Sequence, residues 1–123
     1  RYHWFDDAWG SLVRSLEASF AGNAVTLLNI SRDEKRFLFL VSSDRSPGVY
    51  YLGDLRGPTP QIQPISALRP GLNPELMRPM TPIRFTARDG LEIHGYLTLP
   101  VGAEKRPPPL ILLPHGGPWA RDS

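Results

Sequence analysis

The chain has 123 residues, 41% of them hydrophobic and 21% charged, which fits one ordered domain of ordinary size rather than a disordered segment. Its 14 basic and 12 acidic residues give a formal charge of +2 and are scattered along the sequence, so a nucleic-acid partner is not expected. The sequence contains no cysteine, which excludes disulfides and cysteine-based metal or redox sites, and we expect no cofactor.

Residues 5–20 are predicted to form an amphipathic helix, because their apolar residues recur at helical spacing. These residues are Phe5, Trp9, Leu12, Val13, Leu16 and Phe20. Asp6 and Asp7 suit the N-terminal cap and first turn, and Gly22-Asn23 supplies the stop. We expect the aromatic side chains of this helix to lie in the core rather than in a ligand site.

Four short runs follow and are predicted to be strands, over residues 24–30, 37–41, 49–52 and 61–65. Turns rich in polar residues, proline or glycine separate them, at residues 31–35, 44–48 and 53–58. Pro64 cannot donate to a strand ladder, so the fourth run should be an edge strand. Four such strands favour one antiparallel meander of the propeller-blade type. We assign the helix and this sheet to residues 1–66.

Residues 67–82 are predicted to be a proline-rich crossing segment between two units, because four prolines interrupt any regular element. One helical turn is expected within it, with Asn73 as the cap and Pro74 at the first helical position. Four apolar residues give the segment something to bury, so we expect it to be ordered. They are Leu68, Leu72, Leu76 and Met77.

Residues 83–86 and 91–98 are predicted to pair as a β-hairpin around Asp89-Gly90, which is a strong hairpin signal. The return strand alternates, with apolar residues on one face and more polar residues, including His94, on the other. We therefore expect His94 to be solvated or hydrogen-bonded rather than catalytic.

Residues 110–113 are four aliphatic residues in a row, as expected for a strand that is buried on both faces. Pro114 should end this strand, and the chain then enters His115-Gly116-Gly117. Adjacent glycines lack Cβ atoms, so their backbone can turn sharply and present N–H groups to a ligand. Such a loop after a buried strand can form an oxyanion site. On these residues alone, an oxyanion loop and an ordinary Gly-Gly-Pro loop stay equally open.

The sequence resembles the prolyl oligopeptidase family of serine peptidases, and is most similar to its acylaminoacyl-peptidase-like branch. The matching segments are residues 82–90, 93–100 and 110–119, the last of which carries the His-Gly-Gly-Pro motif. In that family a β-propeller precedes an α/β-hydrolase domain. The resemblance implies that the four predicted strands are the last propeller blade. It also implies that residues 83–123 hold the opening strands of the hydrolase domain, with 110–113 as its first buried strand.

The resemblance also implies roles for residues of the final loop. The backbone of Gly116 and Gly117 would lie in the oxyanion region, with the Gly117 N–H as the donor to the tetrahedral oxyanion. His115 would shape that loop, and Trp119 would line the substrate pocket. The parent protein would be a serine peptidase of acylaminoacyl-peptidase or dipeptidyl aminopeptidase type, acting on peptides through an acyl-enzyme.

The sequence departs from that family in the catalytic groups. No G-x-S-x-G nucleophile elbow occurs in the 123 residues, and in this fold the Ser, Asp and His of the triad follow the oxyanion strand. Acyl transfer needs the nucleophile and its base together, so the fragment alone is predicted to be inactive.

Two other hypotheses stay open. The chain could be a stand-alone, non-catalytic β module that binds a partner through its edges or its apolar face. It could also be a fragment of an esterase or lipase of the same hydrolase fold, because an oxyanion loop does not fix the substrate. A G-x-S-x-G motif further along the reading frame would favour either hydrolase over the module.

Two features indicate a piece of a longer protein, since residue 1 is not Met and the sequence ends shortly after the Gly-Gly loop. A cut blade and a cut sheet expose edges and apolar faces, so we expect the fragment to self-associate. No apolar run approaches the ~18 residues of a membrane span, and no signal peptide is visible. The compartment is unknown, with a cytoplasmic location favoured.

Overall fold

The computed structural model describes residues 6–117, which form one α-helix, six β-strands and one short 3₁₀ helix. The predicted mainly β, α+β fold is confirmed. The chain divides into two compact units, Arg1–Pro74 and Glu75–Ser123, which we call unit 1 and unit 2. The division lies inside the predicted crossing segment. Across residues 6–117, no helix combines the length and the apolar character that crossing a membrane requires.

Unit 1 begins with helix α1, Asp7–Ser19. The Asp6 side chain caps this helix by accepting a hydrogen bond from the backbone N–H of Trp9 at 2.9 Å. After the helix, Gly22 has a φ of +81°, a backbone that glycine adopts without strain, and the chain turns toward the sheet. The predicted helix and its cap are confirmed, apart from Phe5, which lies outside the described residues.

Four antiparallel strands follow as a meander whose spatial order is the order of the sequence. They are β1 Ala24–Ile30, β2 Arg36–Ser43, β3 Ser46–Asp54 and β4 Gln61–Ala67. Each outer strand contains a bulged residue, Leu28 in β1 and Ile65 in β4, where the register shifts. Pro64 lies in β4, which is an edge strand of this sheet as predicted.

The turn predicted over residues 44–48 is wrong in its extent. The chain reverses at residues 44–45, Ser43 pairs with Ser46, and both Pro47 and Gly48 belong to β3. The register between β2 and β3 shifts between Val41 and Ser43, and this shift makes room for Pro47 and Gly48 within β3. Gly48 adopts a φ of +137° at this irregularity. Proline and glycine therefore mark a bulge inside the strand here, and not its boundary.

The core of unit 1 lies between α1 and one face of the sheet. Phe37, Phe39 and Val41 alternate inward from β2, are at most 7% exposed, and pack with Leu16 of α1. The rings of Phe37 and Phe39 stack with centroids 5.6 Å apart, and Trp9 meets Phe37 edge-on at 5.7 Å. Trp9 and Phe20 therefore pack against the core, as predicted, and Phe5 lies outside the described residues.

A 3₁₀ helix, Pro74–Leu76, follows the four-stranded sheet, at the place where the sequence predicted one helical turn. Unit 2 then forms a hairpin from β5, Thr81–Thr86, and β6, Glu92–Leu97. Its loop is closed by two hydrogen bonds, from the Ala87 N–H to the Leu91 carbonyl at 2.9 Å and from the Gly90 N–H to the Ala87 carbonyl at 3.0 Å. The predicted hairpin is confirmed, and it has a three-residue loop.

The strand predicted at residues 110–113 is not formed in this structure. These residues have no strand partner in the described part of the chain, and their side chains are 79–90% exposed. A strand forms only where a neighbouring strand accepts its backbone hydrogen bonds, and an apolar sequence does not supply that neighbour. The described residues of unit 2 therefore hold a two-stranded sheet and an exposed apolar run.

Candidate functional site

The predicted oxyanion segment, His115 to Gly117, directly follows Pro114, the residue that ends the exposed apolar run. His115 and Gly116 are exposed, and Gly117 is half-buried. The Nε2 of His115 donates a hydrogen bond to the carbonyl oxygen of Gly117. This contact requires a proton on Nε2, which both the neutral Nε2 tautomer and the imidazolium carry. The ring thereby ties the two ends of the segment together.

The glycine pair is not required by the backbone conformation of the described chain. Gly116 and Gly117 are not among the described glycines with a positive φ, and the segment forms neither a turn nor a bend. The described segment does not use the sharp turn that a glycine pair permits. A Cβ atom on either glycine would meet no heavy atom within 4 Å. Within residues 6–117, no group occupies the space that a side chain at these positions would take.

The hydrogen bond from His115 occupies the Gly117 carbonyl and leaves the Gly117 N–H untouched. The carbonyl of Gly117 belongs to the peptide whose nitrogen is that of Pro118, so this peptide has no N–H. The Gly117 N–H belongs to the preceding peptide and is not engaged by the His115 ring. It can donate to an oxygen that acquires negative charge, which is the chemistry of an oxyanion site. Trp119, predicted to line the substrate pocket, lies outside the described residues.

His94 lies on the exposed face of β6, beside Glu92. One carboxylate oxygen of Glu92 is 3.4 Å from His94 Nε2 and 3.3 Å from an Arg84 guanidinium nitrogen. All three side chains are more than half exposed. The expected solvated position of His94 is confirmed.

Unit 1 contains an open cleft of about 250 Å³. It is lined by Asn29, Ser31, Arg36, Phe37, Leu38 and Leu52. The Ser31 hydroxyl donates to Asp33 at 2.6 Å and accepts from the backbone N–H of Arg36 at 2.9 Å, so it caps the β1–β2 turn. No histidine lines this cleft, and we assign it no catalytic chemistry. Among residues 6–117, no group of three or more His, Asp or Glu side chains could hold a metal ion.

An ion pair at the end of β3 stabilises the turn that follows. The Arg56 guanidinium donates to both carboxylate oxygens of Asp54, and the Arg56 backbone N–H donates to the same carboxylate at 2.9 Å. The side-chain hydrogen bond from Arg56 lowers the pKa of Asp54 to about 2, against a smaller opposing effect of desolvation. Both residues lie within unit 1 and stabilise its structure.

Sequence reasoning missed two contacts that the structure shows. It did not predict that His115 binds the Gly117 carbonyl, because a histidine two residues before a glycine does not indicate such a hydrogen bond. It also missed the Arg84–Glu92–His94 group, although the alternation of β5 and β6 contained the signal. Arg84 and His94 are opposite each other in the hairpin register, and Glu92 is two residues before His94 on the same face.

No family model and no solved structure match the chain. The chain is similar to dipeptidyl aminopeptidase BIII of Pseudoxanthomonas mexicana, with 34% identity over 125 aligned residues. This similarity covers 96% of the chain and 18% of the relative, so the chain spans less than a fifth of the length of the curated relative that it matches. The chain is thus similar, along nearly its whole length, to one part of a protein named as a peptidase.

Proposed function

We propose that the chain is part of a serine peptidase of the prolyl oligopeptidase family, which cleaves peptide substrates through an acyl-enzyme. The observation that carries this proposal is the 34% identity to a dipeptidyl aminopeptidase along 96% of the chain. It agrees with the resemblance carried by the hairpin residues and by the His-Gly-Gly-Pro motif. Release of dipeptides is the reaction that the relative's name suggests for the longer protein.

The Gly117 N–H is proposed as an oxyanion donor. Three observations support this role: the absence of a Cβ, the open space beside the peptide, and a His115 contact that binds the Gly117 carbonyl and not its N–H. A donor of this kind stabilises the charge that develops on the substrate carbonyl in the transition state. His115 then acts as a positioning residue, because its ring holds the carbonyl of Gly117.

The four-stranded sheet is proposed as one blade of a propeller. Its strands pair strictly in sequence order, and α1 covers one face only. The other face carries Leu38, Leu40 and Leu52, which are half-buried and project away from the core residues of β2. A sheet with apolar residues on both faces is typical of a blade that packs between neighbours.

The 123 residues do not supply the nucleophile or its base. They contain no G-x-S-x-G motif, and His94 precedes the His-Gly-Gly segment, whereas the triad residues of this fold follow it. We therefore assign the catalytic activity to a longer protein that carries this chain, and we expect the chain alone to be inactive toward peptides and esters.

The proposal is tested with the longer protein encoded by the same reading frame. We expect it to release dipeptides from chromogenic dipeptidyl amides and to be labelled by a fluorophosphonate, which reacts with activated serines. The 123-residue chain, assayed in parallel, should do neither. If the longer protein hydrolyses ester substrates but not the dipeptidyl amides, the esterase hypothesis is correct and the peptidase proposal is wrong. If the longer protein hydrolyses neither esters nor amides, or if the reading frame encodes no nucleophile elbow, the non-catalytic module is the correct hypothesis.

A further inference from the structure

The same contact between a carboxylate and the following backbone recurs at Asp33, Asp54 and Asp89. In each case the carboxylate accepts a hydrogen bond from the backbone N–H two residues further on, at 3.2, 2.9 and 3.1 Å respectively. This contact turns the carboxyl group toward the stretch of backbone that contains the next peptide nitrogen. An aspartyl carboxyl group that reaches this nitrogen can acylate it and close a succinimide ring.

Asp89 differs from the other two aspartates in the residue that follows it. Gly90 has no Cβ atom, and a Cβ built there would meet no heavy atom within 4 Å, so the approach to its nitrogen is unobstructed. Asp33 is followed by a glutamate and Asp54 by a leucine, whose side chains crowd the same approach. Both Asp89 and Gly90 are exposed at the tip of the hairpin. The chain therefore places one aspartate beside a nitrogen that it can reach.

The carboxylates of Asp33 and Asp54 are also held by a side chain. The Ser31 hydroxyl donates to Asp33 at 2.6 Å, and the Arg56 guanidinium donates to Asp54. These hydrogen bonds lower the pKa of both carboxyl groups, which disfavours the neutral acid from which water can leave. Within the described chain, the carboxylate of Asp89 has the backbone contact as its one hydrogen bond.

We propose that Asp89 is a site of spontaneous covalent modification, at which the Gly90 nitrogen attacks the carboxyl carbon of Asp89. The new C–N bond replaces the bond to the carboxyl hydroxyl group, which leaves as water with the amide proton. Water from the solvent then opens the succinimide. Opening at the side-chain carbon restores aspartate, and opening at the main-chain carbon gives an isoaspartyl linkage. This proposal does not depend on the proposed peptidase function.

The folded loop holds the attacking nitrogen in another contact. The Gly90 N–H donates to the Ala87 carbonyl at 3.0 Å, and this hydrogen bond must break before the nitrogen can attack. The hairpin has two strands and, among residues 75–117, no buried residue, so it opens more easily than the paired core strand β2. The reaction should therefore follow the opening of the hairpin and not the unfolding of unit 1.

The modified backbone does not fit the hairpin loop. The succinimide nitrogen carries no hydrogen, so the bond to the Ala87 carbonyl is lost. The isoaspartyl linkage adds a carbon to the main chain between Thr86 and Glu92, which are paired in the unmodified hairpin. It also moves the free carboxylate onto the Cα atom of residue 89. The modified chain should therefore lose the pairing of β5 with β6.

The first test is peptide mapping by mass spectrometry of the 123-residue chain during prolonged incubation at neutral pH. We expect the peptide that contains Asp89 to gain a form lighter by one water, the succinimide. We then expect an isoaspartyl form that an L-isoaspartyl methyltransferase labels. Asp33 and Asp54 are internal controls in the same sample and should stay unmodified. The absence of both forms at Asp89, or equal modification of the controls, overturns the proposal.

The second test separates hairpin opening from the unfolding of unit 1. Phe39→Ala removes a fully buried ring from β2 and leaves the hairpin residues unchanged. We expect this variant to form isoaspartate at position 89 at the wild-type rate. Urea at a concentration that removes the exchange protection of β6 should raise the rate several-fold. A rate that follows the protection of β2 and not that of β6 contradicts the role of hairpin opening.

The third test examines the effect of the modification with Asp89→Glu. Glutamate keeps the negative charge, but its longer side chain would have to close a larger ring, which is much slower. The wild-type chain should lose the amide protection of β6 as isoaspartate accumulates, and Asp89→Glu should keep this protection over the same time. Persistent protection of β6 in isoaspartyl molecules contradicts the proposed loss of the hairpin.

Discussion

The ring of Phe37 occupies the position that a side chain on Gly53, its cross-strand partner, would need. A Cβ atom on Gly53 would lie 2.1 Å from the Phe37 Cζ atom, far inside contact distance. Phe37 is 2% exposed and meets Trp9 edge-on, so a shift of the ring disturbs the packing of the core. Glycine at position 53 is therefore a packing requirement of the β2–β3 pair.

Replacing this glycine should destabilise unit 1. We expect Gly53→Ala to lower the free energy of unfolding by about 1–3 kcal/mol, because the added methyl group forces the buried ring to shift. Urea unfolding followed by circular dichroism measures this change. Gly71→Ala is the control, since a Cβ there meets nothing within 4 Å, and it should change stability little. Combining Gly53→Ala with Phe37→Leu should cost less than the sum of the two single changes.

The stability of unit 1 should fall in acid through Asp54. The hydrogen bond from Arg56 lowers the pKa of Asp54 from 3.8 to about 2 in the folded chain. The contribution of Asp54 to stability is therefore fully present above pH 3.8 and is lost as the pH falls toward about 2. Carboxyl-carbon NMR titration should give a midpoint near 2, and the Asp54→Asn variant should lose less stability over this range. A midpoint at 3.8 or above contradicts this prediction.

Hydrogen exchange should separate the two units at low protein concentration, where association does not contribute. The amides of β2 are paired on both sides and carry the core residues, so they should exchange most slowly. The amides of β6 lie in a two-stranded sheet without a buried residue and should exchange faster. Phe39→Ala, which removes a fully buried ring at a cost of ~3–5 kcal/mol, should abolish the protection of β2 and leave that of β6 unchanged. Equal protection of β2 and β6 would falsify the prediction.

Gly117→Val tests the oxyanion assignment in the longer protein. A Cβ atom at this position meets nothing within 4 Å in the described chain, so we expect the 123-residue form to fold and unfold as the wild type does. In the active protein the branched side chain should crowd the bound carbonyl and displace the donor. Loss of one such donor costs ~3–4 kcal/mol in the transition state, so we expect kcat to fall with little change in KM. His94→Ala is the control, because His94 lies on the exposed face of β6, and it should leave kcat unchanged. A wild-type kcat for Gly117→Val would show that Gly117 is not part of the oxyanion site.

Local patterns predicted most of unit 1 because its elements depend on neighbouring residues. The spacing of Trp9, Leu16 and Phe20 predicted α1, and alternation along β2 predicted which side chains face the core. The turn before β3 was predicted too long because composition signals a change of direction and does not give the strand register. Pro47 and Gly48 are compatible with both a turn and a bulge, and only the strand pairing in the structure distinguishes these two possibilities.

The candidate site was predicted less well for a different physical reason. Residues 110–113 have the composition of a buried strand, but burial depends on a partner that the run itself cannot encode. The role of Gly117 depends in the same way on a substrate and on groups that the described chain does not supply. The contact between His115 and the Gly117 carbonyl depends on the path of the loop, which a glycine pair leaves undetermined.

The strictly sequential pairing of the first four strands has a consequence for how fast unit 1 folds. Each strand joins the one made just before it, across connections at residues 31–35, 44–45 and 55–60. Closing such short loops costs little chain entropy, and no pairing has to wait for a distant segment. We expect unit 1 to reach its native sheet in milliseconds or less and to complete it while the residues after Ala67 are still being synthesised.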